Sequence, residues 1–93
     1  LSVVIPTKDR NLILAQTLLA ACEALKGVDS EIIVVNDSDT PVEMPFPLPA
    51  NVRVMRNPKS GVASGRNYGA KLATGSLLLF LDDDMLVAPA DIQ

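Results

Sequence analysis

Three consecutive carboxylates, Asp82, Asp83 and Asp84, directly follow five large apolar residues, and the stretch reads LLLFLDDD. Acids packed this closely repel one another, and a bound divalent cation removes that cost. If the chain stays extended through them, Leu78, Phe80, Asp82 and Asp84 share one face and Leu77, Leu79, Leu81 and Asp83 the other. Asp82 and Asp84 then stand about 6–7 Å apart along the strand and flank one cation. With no histidine and a single cysteine, Cys22, in the chain, a metal site is built from oxygen ligands, which favours Mg²⁺, Mn²⁺ or Ca²⁺ over zinc. The same three acids also suit a solvated corner, since acidic residues are common just after a strand.

The elements that must position these acids follow from hydrophobic periodicity. Residues 77–81 fit a strand buried on both faces, as in the middle of a parallel sheet. Residues 1–5 (LSVVI) form a first buried strand, with Pro6 leaving the ladder and residues 7–10 (TKDR) turning into a helix capped by Thr7 or Asp9. Over residues 11–26 the apolar positions Leu14, Leu18, Cys22 and Leu25 recur at helical spacing, widened by Ile13 and Leu19, until Gly27 ends the helix. Cys22 belongs to that apolar face as a small buried hydrophobe. A second strand, residues 31–35 (EIIVV), runs into the polar cluster 36–40 (NDSDT).

Four prolines within residues 41–49 (PVEMPFPLP) exclude helix or central strand there and predict an extended connection. Residues 52–56 (VRVMR) alternate, as an edge strand with one exposed face does. Ser60 is a candidate cap for a second helix over residues 61–74, which Gly75 ends. Interior glycine costs about 0.5–1 kcal/mol relative to alanine, so Gly65 and Gly69 call for a close approach to a sheet or a ligand.

The order β-α-β-(Pro-rich link)-β-α-β predicts an α/β fold with a parallel sheet in strand order 3-2-1-4 and right-handed crossovers. The tips after Ile5, Val35 and Leu81 then open on one edge at the topological switch point, bringing Thr7, Arg10, Asp37 and Asp82 to Asp84 into one crevice. Carboxylates, an arginine and hydroxyls converging there suit a metal-bound phosphate ligand. Neither G-x-G-x-x-G after the first strand nor G-x-x-x-x-G-K-[ST] occurs, so the dinucleotide fingerprint and the P-loop are absent.

Composition narrows the partners. At 93 residues with 48% hydrophobic content the chain is one small domain or part of a larger one. A net charge of −3 without a basic cluster, and only three aromatics, argue against nucleic-acid binding. A lone cysteine permits no internal disulfide. No apolar run approaches the about 18–20 residues that span a bilayer. With no signal-peptide layout at the start, a cytoplasmic location is expected, and an open sheet edge makes a homodimer conceivable.

Four stretches in order, SVVIPTKDR, EIIVVNDSD, NPKSGVASGRNYGAKLATG and LLLFLDDD, give the chain its resemblance to the nucleotide-binding half of the GT-A glycosyltransferases, and within them to inverting family 2. The resemblance covers nearly the whole chain and implies a Rossmann-like nucleotide-sugar-binding domain over residues 1–93. It implies that Pro6 and Thr7 line the uracil and ribose pocket, and that Asp37 accepts a hydrogen bond from the uracil imide. It also implies that Arg66 lies near the nucleotide, and that Gly61 lets its loop approach. Asp84 matches the acid holding Mn²⁺ or Mg²⁺ on the diphosphate, Asp83 the one near ribose or sugar, and Asp82 the first acid of the D-x-D motif, ligating directly or through water.

The expected activity is transfer of a sugar from a UDP-linked donor to a hydroxyl acceptor, as in a hexosyltransferase. A nucleotide-binding or regulatory module without transfer is the alternative. Lys8, Asp9, Asn36 and Ser38 depart from residues frequent in the family. The resemblance places the acceptor-binding half and the catalytic base beyond Gln93, so no catalytic residue is identified within the chain.

Overall fold

The computed structural model describes residues 1–84. Strands β1 (Ser2–Thr7), β2 (Glu31–Asn36), β3 (Val52–Arg56) and β4 (Leu78–Phe80) alternate with helices α1 (Asn11–Ala24) and α2 (Val62–Leu72). All pairings are parallel and the sheet order is β3-β2-β1-β4, as the element pattern predicts. Parallel neighbours require crossovers: α1 links β1 to β2 and α2 links β3 to β4. The proline-rich link between β2 and β3 contributes neither helix nor strand.

The helices cover opposite faces, and each face carries its own core. On the α1 side, Val3, Ile5, Ile32, Val34, Val52 and Leu81 pack with Leu14, Leu18, Ala21 and Leu25 of the helix and its C-terminal end, and Val42, Met44 and Phe46 of the link close over them. On the other side, Val4, Ile33 and Val35 pack beneath Tyr68 and Leu72. A Cβ at Gly69 would overlap the methyl groups of Val4 and stand 3.3 Å from Val35 Cγ2. The glycine therefore sets how closely α2 lies on β1 and β2, and approach to the sheet explains it.

Several sequence expectations need correction. Pro6 stays within β1, opposite Val35. Ser2 donates to the Leu77 carbonyl, so the alternate positions Val4 and Pro6 also face β4, whose pairing stops opposite Val4. At Pro6 there is no ladder bond for the missing N–H to lose. Ile13 and Leu19 point outward, while Thr17 and Ala21 complete the buried stripe of α1, because a helix seated on one sheet buries a narrower arc than the sequence offers. Cys22 is half-buried at the margin of that core, and burial raises its thiol pKa.

β4 is not buried on both faces. Leu78 and Phe80 are 43% and 42% exposed, since among the described residues β4 pairs only with β1 and α2 lies over β1 and β2. Its other face meets the α1 core through Leu79 and Leu81. The capping expectations also fail: Arg10 and Gly61 occupy the helix N-cap positions without side-chain cap bonds. Thr7, Asp9 and Ser60 instead make the tertiary contacts described below.

Candidate functional site: a cleft at the C-terminal ends of the strands

β1, β2 and β4 all end on the same edge, and their last residues run into polar loops that line a cleft of about 340 Å³. Pro6, Thr7, Arg10, Asp37, Gly61, Asp82, Asp83 and Asp84, eight of the nine residues singled out for nucleotide or metal, line it together. The ninth, Arg66 on α2, stands outside the lining and reaches it through an ion pair, Nη2 to Asp82 Oδ1 at 3.3 Å. This is the crevice outside the carboxyl ends of the strands that open α/β sheets use for ligands.

The three acids follow β4, which ends at Phe80, and residues 83–84 turn, yet their burial alternates. Asp83 lies on the α1 side with Leu79 and Leu81 and is only 8% exposed, whereas the side chains of Asp82 and Asp84 are 61% and 57% exposed. A buried carboxylate needs partners, and Asp83 has them. Thr7 Oγ1 donates to Oδ2 at 2.9 Å and Arg10 Nη1 to Oδ1 at 3.2 Å. Its backbone carbonyl accepts from the fully buried Thr17 hydroxyl at 2.7 Å. Arg10 also stands 3.7 Å from Asp84 Oδ2. Arg66 and Asp82 are both exposed, and exposed ion pairs contribute only about 0–1 kcal/mol, so Arg66 can turn onto an incoming anion at little cost, whereas Arg10 is held more firmly because it serves the buried Asp83.

Asp37 forms the opposite wall. The Gly61 N–H donates to Oδ2 at 3.1 Å, with the Ser60 hydroxyl at 3.4 Å, and Asn57 Nδ2 donates to Oδ1 at 3.1 Å. Gly61 has φ +121°, a region open to glycine and strained for other residues, and this backbone turn aims its N–H at Asp37.

Lys8, Asp9, Asn36 and Ser38, singled out in the sequence, all lie in the loops after β1 and β2 or at the end of β2. Ser38 Oγ donates to Asp9 Oδ1, and Asn36 Oδ1 accepts from the Ser38 N–H at 3.0 Å while its Nδ2 donates to the Thr40 carbonyl at 2.9 Å. Asp9 adopts φ +54°, and Lys8 lines the cleft. Three of the four thus build one hydrogen-bonded turn between the loops after β1 and β2.

Sequence reasoning missed Val35, Asn57, Val62 and Gly65 as cleft-lining residues. Gly65 carried a signal as a glycine inside a helix, and the space above it opens toward Pro6, Val35 and Asn57. Asn57 had the weaker signal of an asparagine before a proline, which reads only as a turn.

Asp82 and Asp84 fit a divalent ion by donor chemistry. They are solvent-exposed oxygen donors just after the strand, and each is paired with an arginine through one oxygen only. The described residues bring together no group of three or more His, Cys, Asp or Glu side chains able to hold a metal.

A four-stranded parallel sheet of this order flanked by two helices is the Rossmann-like α/β arrangement of a GT-A half. The family model for glycosyl transferase family 2 matches residues 2–93, and the chain belongs to that family. It is 36% identical over 100 aligned positions to a validoxylamine A glucosyltransferase of Streptomyces hygroscopicus subsp. limoneus, covering all of this chain and 22% of that protein. It is 33% identical to the minor teichoic acid biosynthesis protein GgaB of Bacillus subtilis, over 99% of this chain and 11% of the relative. It is 35% identical to the glycosyltransferase YwdF of the same organism, over the whole chain and 35% of the relative. The chain thus spans about a third or less of the length of these curated relatives. No helix among the described residues is long and apolar enough to cross a membrane.

Proposed function

We propose that this chain is the donor-binding part of a glycosyltransferase, taking a UDP-sugar together with Mn²⁺ or Mg²⁺ for transfer of the sugar to a hydroxyl acceptor. The observation that carries the reading is the meeting of Asp37, Arg10 and the three acids around one cleft of about 340 Å³. Asp37 reads the base by accepting the uracil imide N–H. Pro6 and Thr7 line the base and ribose side, and Asp83, held by Thr7 and Arg10, faces the ribose or sugar. Asp82 and Asp84 hold the cation.

When bound, the cation supplies Lewis-acid stabilisation of the charge developing on the departing diphosphate. Arg10 and Arg66, paired with the acids, and Lys8 in the cleft lining add electrostatic stabilisation.

Calorimetric titration of UDP, with GDP as control, in Mn²⁺ and again in EDTA tests the reading. UDP binding that requires Mn²⁺ and exceeds GDP binding is the expected result. Equal binding of both nucleotides, or binding unaffected by EDTA, would overturn it.

A further inference from the structure

We infer that Asn57, just after β3, is a positioning residue for base recognition: it fixes the direction in which Asp37 presents its free lone pairs. The inference rests on the proposed role of Asp37 as the group that reads the base.

Asp37 lies in the loop after β2, and among the described residues no arginine or lysine forms a salt bridge with it. Its orientation depends on neutral donors. Two of these, the Gly61 N–H and the Ser60 hydroxyl, come from the loop entering α2 and address Oδ2. The third, Asn57 Nδ2, addresses Oδ1 at 3.1 Å and comes from a residue that is only 8% exposed.

Asn57 is itself fully committed. Its second Nδ2 hydrogen goes to the Gly61 carbonyl at 3.2 Å, and its Oδ1 accepts from the Lys59 N–H at 3.3 Å. Its own N–H donates to the Asn36 carbonyl at 2.8 Å, which ties it to the end of β2. One side chain therefore binds Asp37 and also holds the glycine loop whose N–H is Asp37's other donor. An amide suits the position because it offers two donors and an acceptor in one plane. A carboxylate held by neutral donors keeps its charge to strengthen one more bond from a ligand N–H.

The test uses the full-length protein and two probes, UDP and inorganic pyrophosphate, each titrated in Mn²⁺. The variants are N57A, N57D, D37A and the double variant N57A/D37A, with melting midpoints measured alongside. N57D keeps the shape and the acceptor facing Lys59 but sets a carboxylate against Asp37 where a donor stood, so it reverses the interaction and is expected to weaken UDP at least as much as N57A.

Loss of the amide is expected to weaken UDP about tenfold and to leave pyrophosphate within about twofold, since pyrophosphate carries no base. The double variant should bind UDP no more weakly than D37A, because Asn57 acts through Asp37. Wild-type UDP affinity in N57A and N57D, equal losses for both probes, or fully additive losses in the double variant would each overturn the inference. So would failure of both Asn57 variants to fold, which would make the residue structural. If D37A itself binds UDP normally, the base-reading role falls and takes this inference with it. Normal binding by the Asn57 variants beside a weakened D37A removes only the role of Asn57.

Discussion

Glu31, at the end of the sheet where the strands begin, has its carboxylate enclosed by donors, whereas Asp82 and Asp84, where the strands finish, face solvent with one arginine each. Around Glu31, Oε2 accepts from the Thr74 N–H at 2.6 Å and from the Thr74 and Ser2 hydroxyls at 2.7 Å. Oε1 accepts from Arg53, which also donates to the last carbonyl of α2, Leu72 O. Ser2 Oγ in turn accepts from the Gly75 N–H at 2.8 Å. One carboxylate thus joins β1, β2, β3 and the exit from α2. Satisfied carboxylates stitch a fold together, while partly satisfied ones at the opposite edge keep capacity for a ligand.

The largest expected effect breaks the site end alone. D84A is expected to weaken Mn²⁺-dependent UDP binding on the order of 100-fold, about 2.7 kcal/mol. The melting midpoint should hardly move, because an exposed side chain of this kind changes stability by no more than about 0.5 kcal/mol. Unchanged UDP binding in Mn²⁺ would remove Asp84 from the metal site. E31A is the mirror case: a loss of about 2 kcal/mol in denaturant unfolding, with UDP affinity preserved where the variant is folded.

The same contrast has a pH signature. The Thr74 N–H, first, and then the Ser2 and Thr74 hydroxyls hold Glu31 down at about 2, against an ordinary 4.5. A depressed carboxylate contributes stability in full above the unfolded pKa and loses it as pH falls through the folded one. Wild-type stability should therefore decline between about pH 4.5 and pH 2 by an amount that E31A lacks. Superimposable pH profiles for the two proteins would show that the knot does not form in solution.

How much of this was legible beforehand depends on the kind of interaction. Topology was legible, because four strand segments and two helical stripes admit few parallel arrangements, and the tips of β1, β2 and β4 meet at the switch point whatever their side chains do. The division of the acids was legible only in part: burial alternates through Leu81 and Asp83, but β4 ends at Phe80 and residues 83–84 turn, so the extended chain expected through the acids is not there. Glu31 was not. Its partners Ser2, Arg53 and Thr74 are scattered along the chain, and each is an ordinary surface residue in sequence terms. Asn57 was hidden for the same reason, its hydrogen bonds running to residues brought near only by folding. The outward faces of Ile13, Leu19, Leu78 and Phe80 were misread because apolarity records what can be buried, not whether a neighbour arrives to bury it.

Arg10 sharpens the comparison at an intermediate scale. It is itself half-exposed but pairs with the buried Asp83 as well as with Asp84, so R10A is expected to cost about 1–3 kcal/mol of stability. UDP affinity should fall about tenfold through loss of one charge-assisted contact to the diphosphate. A variant that melts far lower while binding UDP normally would move Arg10 from the chemical end to the structural one.

The smallest effect probes where the two ends meet. Thr17 is wholly buried in α1 and donates to the Asp83 backbone carbonyl, so it anchors the acid strand from the core side without facing the cleft. T17V keeps the volume and removes the hydroxyl, leaving a buried carbonyl short of a partner. The expected cost is about 1 kcal/mol in denaturant unfolding. UDP binding should change less than about twofold, because Thr7 and Arg10 still hold the Asp83 carboxylate. A drop in UDP affinity of tenfold with stability nearly unchanged would mean that the backbone at Asp83 is set from inside the core, and that fold and site are not separable along this strand.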